Sequence, residues 1–187
     1  HGNRYIYTVL TEYGKADLAY QILTTPEFPS QTYVMNSGFT TWPERQFEWE
    51  KMEGPTNSLN HPMHSGFAAY FFESLGGIKS SEKYPGYKEF MVNPEFPSEV
   101  NSTSVSVPTP YGDIISKWSV TGAVLSINLK VPFNAKARVE LTPAEYKSLK
   151  INGETVKDFK SQNILEVSNS AMVLGSGDYD IQYLKSK

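Results

Sequence analysis

Glu44 heads the residues in this sequence whose types and spacing could do chemistry. It stands in Thr40-Thr41-Trp42-Pro43-Glu44-Arg45, and Ser58-Leu59-Asn60-His61-Pro62-Met63 follows shortly after. The two stretches supply a carboxylate, an imidazole, an amide and an aromatic ring. Sites that cleave sugars are built from such groups. Carboxylates move protons, polar side chains grip hydroxyls, and aromatic faces stack on the ring. If Arg45 points the same way as its neighbour, it keeps the carboxylate ionised. An ionised carboxylate is what a general base needs to activate water. The alternative is a solvated loop glutamate beside an incidental cation.

Glu48, Glu50 and Glu53 read mostly as solvated acids, one of which could accept from a sugar hydroxyl. His61 sits where a helix is expected to begin. A helix N-terminus disfavours a cationic imidazole, so a neutral ring is expected there, able to donate or accept. A structural capping role is the other reading. His64 lies one turn on, but two histidines at that spacing with no carboxylate motif are a weak signal for metal. No metal and no cofactor is expected. Trp42 and Trp49 could stack on a sugar face, whereas Trp118 reads as core. Gly175-Ser176-Gly177 lacks the lysine and helix of a phosphate loop and reads as a turn. No other cluster offers an obvious partner acid, so the chain is expected to hold half of an active site.

The elements that must position these groups fall into two kinds. Ile6, Val9, Leu10 and Tyr13 recur at helical spacing, with Gly14 as a stop. Leu18, Ala19, Ile22 and Leu23 continue the pattern until Pro26 and Pro29 forbid extension. Neither helix has enough apolar surface to stand alone, so a larger helical neighbourhood is required. Residues 26 to 58 look irregular, and loops of that length inside a compact domain are usually functional. A further helix starts at Asn60 or His61, takes Pro62 in its first turn, buries Met63, Phe67, Tyr70, Phe71 and Leu75, and ends at Gly76-Gly77.

Beyond about Tyr84 the pattern turns to strands. Residues 87–92, 102–107, 113–120, 123–131 and 136–141 read so, followed by 163–167, 171–174 and 178–184. Leu125, Ile127, Leu129 and Val131 alternate with smaller or polar partners, which predicts one buried face. Thr121-Gly122 and Asn152-Gly153 mark hairpins, and Thr142-Pro143-Ala144-Glu145 opens a short helix with a capping box. The whole predicts an all-α remnant over residues 1–80 and an antiparallel β-sandwich domain over 81–187, large enough to fold alone.

Composition narrows the partners. The chain has 187 residues and a net charge of only -3, with acids and bases interspersed. Nucleic acid would want a basic face, and a membrane span would need an apolar run of roughly 18 residues. Neither is present. The absence of cysteine removes disulfides, thiolate nucleophiles and cysteine-bound zinc. It does not fix the compartment. An extracytoplasmic site, periplasmic or secreted, is favoured over a cytoplasmic one. The chain opens on His1 with no signal-peptide pattern, so a processed or cleaved polypeptide is expected.

The order of these motifs resembles the end of the catalytic domain of bacterial α-L-rhamnosidases (glycoside hydrolase family 78). The resemblance rests on residues 10–20 (LTEYGKADLAY), 40–45 and 58–63, then on Pro85-Gly86-Tyr87-Lys88, Pro110-Tyr111-Gly112-Asp113-Ile114 and Gly175-Ser176-Gly177-Asp178-Tyr179. It implies the last helices of an (α/α)6 barrel followed by a C-terminal β-sandwich. It also implies hydrolysis of terminal α-L-rhamnose with inversion, from a rhamnose-containing glycoside or in polysaccharide degradation. One acid protonates the leaving oxygen while a second carboxylate activates water. The family's Thr-Thr-x-x-Glu base matches Glu44, and its Asn-His pair matches Asn60 and His61, with the imidazole contacting the sugar. Trp42 and Arg45 complete the implied substrate-binding set. Trp42-Pro43 departs from the commoner order, in which Trp directly precedes the Glu. The family's general acid lies well upstream, so the partner implied is the N-terminal part of the same enzyme, and these residues alone are expected to be nearly inactive.

Two other roles compete for the β-part. A carbohydrate-binding module would show aromatics in one exposed row, and those of this chain are scattered. A scaffold that covers and steadies the barrel is the other.

Overall fold

The computed structural model describes residues 5–45, 48, 51, 58–156 and 163–185. Trp49, Glu50 and Glu53 lie outside the described residues. The chain gathers into two units, one of residues 1–71 with 96–99 and one of 72–95 with 100–187. Among the described residues no helix is long and apolar enough to cross a membrane.

The first unit is helical. Helix α1 spans Ile6–Glu12 and α2 spans Ala16–Thr24, joined through Gly14 at a φ of 71°. That left-handed conformation costs glycine nothing and most other residues dearly. The face that α1 buries is not the expected one. Tyr7 and Thr11 are buried, while Ile6, Val9 and Tyr13 are exposed. The reason is the company Tyr7 keeps. Its ring lies 6.4 Å from Phe67 and 6.0 Å from Tyr70, and Gln31 donates to its hydroxyl at 3.3 Å. Burial pushes the Tyr7 phenol above its ordinary range, and the Gln31 hydrogen bond opposes this.

The irregular stretch contains a helix that periodicity does not reveal. Helix α3, Gln31–Asn36, is started by Ser30, whose hydroxyl accepts from the Tyr33 N–H at 2.8 Å. Serine at that position satisfies one orphan amide of the first turn. In the same unit the Ser98 N–H donates to Asp17 at 2.6 Å, which ties residues 96–99 to the start of α2.

The expected helix after His61 is real but distorted. Pro62–Ala68 is a 3₁₀ helix, and Phe71–Leu75 widens into a π-helical turn. Ser65 and Gly66 are weak helix formers, so the segment lacks the propensity to hold a regular α geometry. Phe67, Tyr70 and Leu75 are buried as expected, but Met63 and Phe71 are exposed.

The second unit is the sandwich, with eleven strands in two sheets among the described residues. One sheet contains β1 (Ile78–Ser80), β2 (Glu89–Val92), β6 (Lys136–Glu140), β10 (Ala171–Leu174) and β9 (Ile164–Val167), adjacent in that order. The other runs β3 (Ser102–Thr109), β4 (Gly112–Thr121), β5 (Val124–Val131), β11 (Gly177–Leu184), β7 (Lys150–Ile151) and β8 (Glu154–Thr155). Leu125, Ile127, Leu129 and Val131 are buried together, as the alternation predicts. Two details differ from expectation. The chain from 85 to 87 is a 3₁₀ turn, so β2 begins only at Glu89, and β1 pairs with it ahead of the predicted strands. The sandwich is also not wholly antiparallel. β2 runs parallel to β6, because three strands of the other sheet intervene and return the chain in the same direction.

Gly77 lets the chain enter β1. Its φ is 73°, and a Cβ there would collide with the backbone of Asn93 and Pro94. The short helix α4, Pro143–Ser148, carries the expected capping box. Thr142 accepts from the Glu145 N–H at 3.3 Å, and Glu145 accepts from the Thr142 N–H at 2.8 Å. Thr142→Ala removes half of that exchange and is expected to cost about 1 kcal/mol. Chemical denaturation of the variant against the parent checks it.

Candidate active site

Three backbone and side-chain bonds clamp the two motif stretches side by side. The Glu44 N–H donates to the Ser58 carbonyl at 2.8 Å, and the His61 N–H donates to the Trp42 carbonyl at 2.7 Å. The Thr41 hydroxyl donates to the Leu59 carbonyl at 2.6 Å. Residues 41–44 and 58–61 therefore run past one another like a short antiparallel ladder. Pairing of this kind holds opposed residues about 5 Å apart at Cα. It places the chain carrying the carboxylate against the chain carrying the imidazole.

Each side chain can then be located. Glu44 and His61 are half-buried, and Trp42 is half-buried with its ring edge-on to buried Phe67 at 4.8 Å and 84°. Pro43 between them is buried. Asn60 is exposed, its backbone wrapped by the Ser58 hydroxyl, which donates to its carbonyl at 3.0 Å. Arg45 is exposed, and among the described residues no ion pair joins it to Glu44. The His61 ring makes no cap to the helix that follows it. Its Nε2 instead lies 3.0 Å from the Met63 sulfur.

His64 joins the same group. Its ring stands 5.3 Å from that of His61 at 63°, and its N–H donates to the His61 carbonyl at 3.0 Å. Burial holds the His64 imidazole below the ordinary histidine range. A charge on His61 would act in the same direction, and the Glu44 carboxylate opposes both. His61 and Glu44 are thus both within electrostatic reach of the His64 ring. Among the described residues no cluster of three or more His, Cys, Asp or Glu could hold a metal ion.

Met63 is the residue that pattern reading misplaced, since a methionine at helical spacing reads as core. The signal available was its place two residues from His61, on the far side of Pro62. A carboxylate and two imidazoles beside an aromatic wall can bind hydroxyls and take a proton from water.

Two family models match in succession. Residues 1–75 match the bacterial α-L-rhamnosidase 6 hairpin glycosidase domain, and residues 77–156 match the bacterial α-L-rhamnosidase C-terminal domain. An α-L-rhamnosidase of Formosa agariphila is 67% identical over 186 residues, covering 99% of this chain and 20% of that protein. The structure of an α-L-rhamnosidase from Dictyoglumus thermophilum aligns with a TM-score of 0.78 at 28% identity, covering 98% of this chain and 20% of that one. That of Streptomyces avermitilis α-L-rhamnosidase complexed with L-rhamnose has the same fold, with a TM-score of 0.78 at 22% identity over 97% of this chain and 17% of that one. The chain spans about a fifth of the length of the curated relatives it matches most fully. With both parts matched in order, and with relatives of the same kind along nearly its whole length, the chain belongs to the bacterial α-L-rhamnosidase family.

Proposed function

We propose that these residues supply the water-activating half of an inverting α-L-rhamnosidase. The observation that supports the reading is the clamp between residues 41–44 and 58–61, which pairs Glu44 with Ser58 and His61 with Trp42 through the backbone, together with the Glu44 charge that acts on the His64 ring. Glu44 is the general base. It takes a proton from water as that water attacks the anomeric carbon, and the glycosidic oxygen leaves with a proton from a general acid. His61 and Asn60 bond sugar hydroxyls, Trp42 walls the sugar ring, and Arg45 borders the entrance. The substrate is a terminal α-L-rhamnose on a glycoside or polysaccharide.

The acid comes from the rest of the enzyme. In inverting enzymes the two carboxyl groups stand roughly 6.5–9.5 Å apart, leaving room for the water. Among the described residues, Glu44 is the acid whose charge acts on the His64 ring. The exposed apolar face of α1, with Ile6, Val9 and Tyr13, fits a helix that packs on other helices of a longer catalytic domain. The sandwich serves as scaffold. Of its described aromatics, Phe90, Trp118, Tyr179 and Tyr183 are buried, Tyr84, Tyr87, Tyr111 and Tyr146 are half-buried and Phe133 is exposed, so most do not offer the open ring a sugar-binding face needs.

Inversion gives a direct test. In the full-length enzyme acting on an aryl α-L-rhamnoside, proton NMR during the first turnovers should show β-L-rhamnose forming before mutarotation mixes the anomers. The α anomer appearing first would mean retention and would remove Glu44 from the role of base.

A further inference from the structure

We propose that Met63 is a positioning residue that decides which nitrogen of His61 meets the sugar. The inference rests on the reading of His61 as a sugar ligand. The Nε2 of His61 lies 3.0 Å from the Met63 sulfur. A thioether can accept a hydrogen bond but has no hydrogen to donate. A contact that short is attractive only when the hydrogen sits on Nε2. In the uncharged ring the lone pair then belongs to Nδ1, and His61 offers the sugar an acceptor rather than a donor.

Other features hold the ring in that pose. The His61 N–H is fixed to the Trp42 carbonyl, and the His64 ring braces it edge-on at 5.3 Å. Pro62 locks its own φ between His61 and Met63, which limits how far the two side chains can part. Met63 itself is 43% exposed. It is therefore not a packing residue whose loss would collapse a core, and its contact with the imidazole is what accounts for its place. An acceptor nitrogen selects a sugar position that carries a hydroxyl hydrogen. A ring free to hold its hydrogen on either nitrogen would reach the productive form only part of the time, and apparent affinity would fall by that fraction.

The test uses the full-length enzyme and an aryl α-L-rhamnoside. Met63→Leu keeps the volume and removes the acceptor. It is expected to raise KM by about 2-fold, the loss when the two tautomers become equally populated, with kcat nearly unchanged. Met63→Gln restores an acceptor oxygen and should recover most of the loss. In a His61→Ala background, Met63→Leu should add nothing, because the effect travels through the imidazole. In ¹⁵N-histidine-labelled enzyme the His61 signals should show the hydrogen on Nε2, and Met63→Leu should mix the two tautomers. A Met63→Leu enzyme with unchanged KM, beside a His61→Ala enzyme that binds poorly, would overturn the role of Met63 and leave the site intact. A Met63→Leu loss that persists without His61 would overturn it too. A His61→Ala enzyme with unaltered kinetics would instead sink the sugar-ligand reading itself, and the role of Met63 with it.

Discussion

Glu44→Gln in the full-length enzyme should lower kcat by about 10²–10⁴ while leaving KM for an aryl α-L-rhamnoside within a few-fold of the parent. The substitution keeps the shape of the side chain and its capacity to accept a hydrogen bond. It removes only the capacity to take a proton. The interaction lost is one made in the transition state, so kcat and kcat/KM should fall together. The backbone of residue 44 is held by its N–H bond to Ser58, which does not depend on the side chain, so the loop should keep its path. Steady-state kinetics on protein of verified mass checks the result. A rate within about threefold of the parent would assign the base to another carboxylate.

The neighbours of Glu44 are held by contacts of their own. The His64 ring stands edge-on to that of His61 at 5.3 Å, so its replacement is expected to act on binding through His61. Trp42 is engaged edge-on with Phe67, which fixes its ring against the helix after His61. Its removal should therefore disturb binding and local packing together.

What was legible in the sequence was what is local. The period-two alternation from Leu125 to Val131 needs only neighbouring residues to be read, and so do the Thr142–Glu145 exchange and the Asn152-Gly153 hairpin, where both residues take positive φ. The mixed character, helices before a sandwich, follows from those local signals. What was not legible depends on distant partners. The parallel pairing of β2 with β6 is set by three strands that lie elsewhere. The buried face of α1 is chosen by Phe67, Tyr70 and Gln31 rather than by its own stripe. The residue types of the candidate site could be picked out from their order in residues 40–45 and 58–63. The clamp that sets 41–44 against 58–61 could not, since backbone bonds between separated stretches leave no side-chain signature.

Trp118→Ala is the change expected to harm stability most. Trp118 is 2% exposed on the inner face of β4, opposite Thr103 on one side and Ile127 on the other. Its indole N–H donates to the Leu75 carbonyl at 2.6 Å. That carbonyl belongs to the last residue of the π-helical turn and is left over where the helix stops, so the indole satisfies a group that would otherwise be buried without a partner. Truncation to alanine opens a cavity in the sandwich and should cost about 3–5 kcal/mol. For a domain of this size that corresponds to a fall of more than about 10 °C in its melting transition. Trp118→Phe separates the two contributions. It keeps most of the ring and removes the donor, so the unsatisfied Leu75 carbonyl should dominate at about 1–3 kcal/mol. Calorimetry of the full-length variants reads both. A Trp118→Ala transition within 2 °C of the parent would mean that the sandwich closes over the gap, and that the indole bond is not what holds the chain at Leu75 to the sheet.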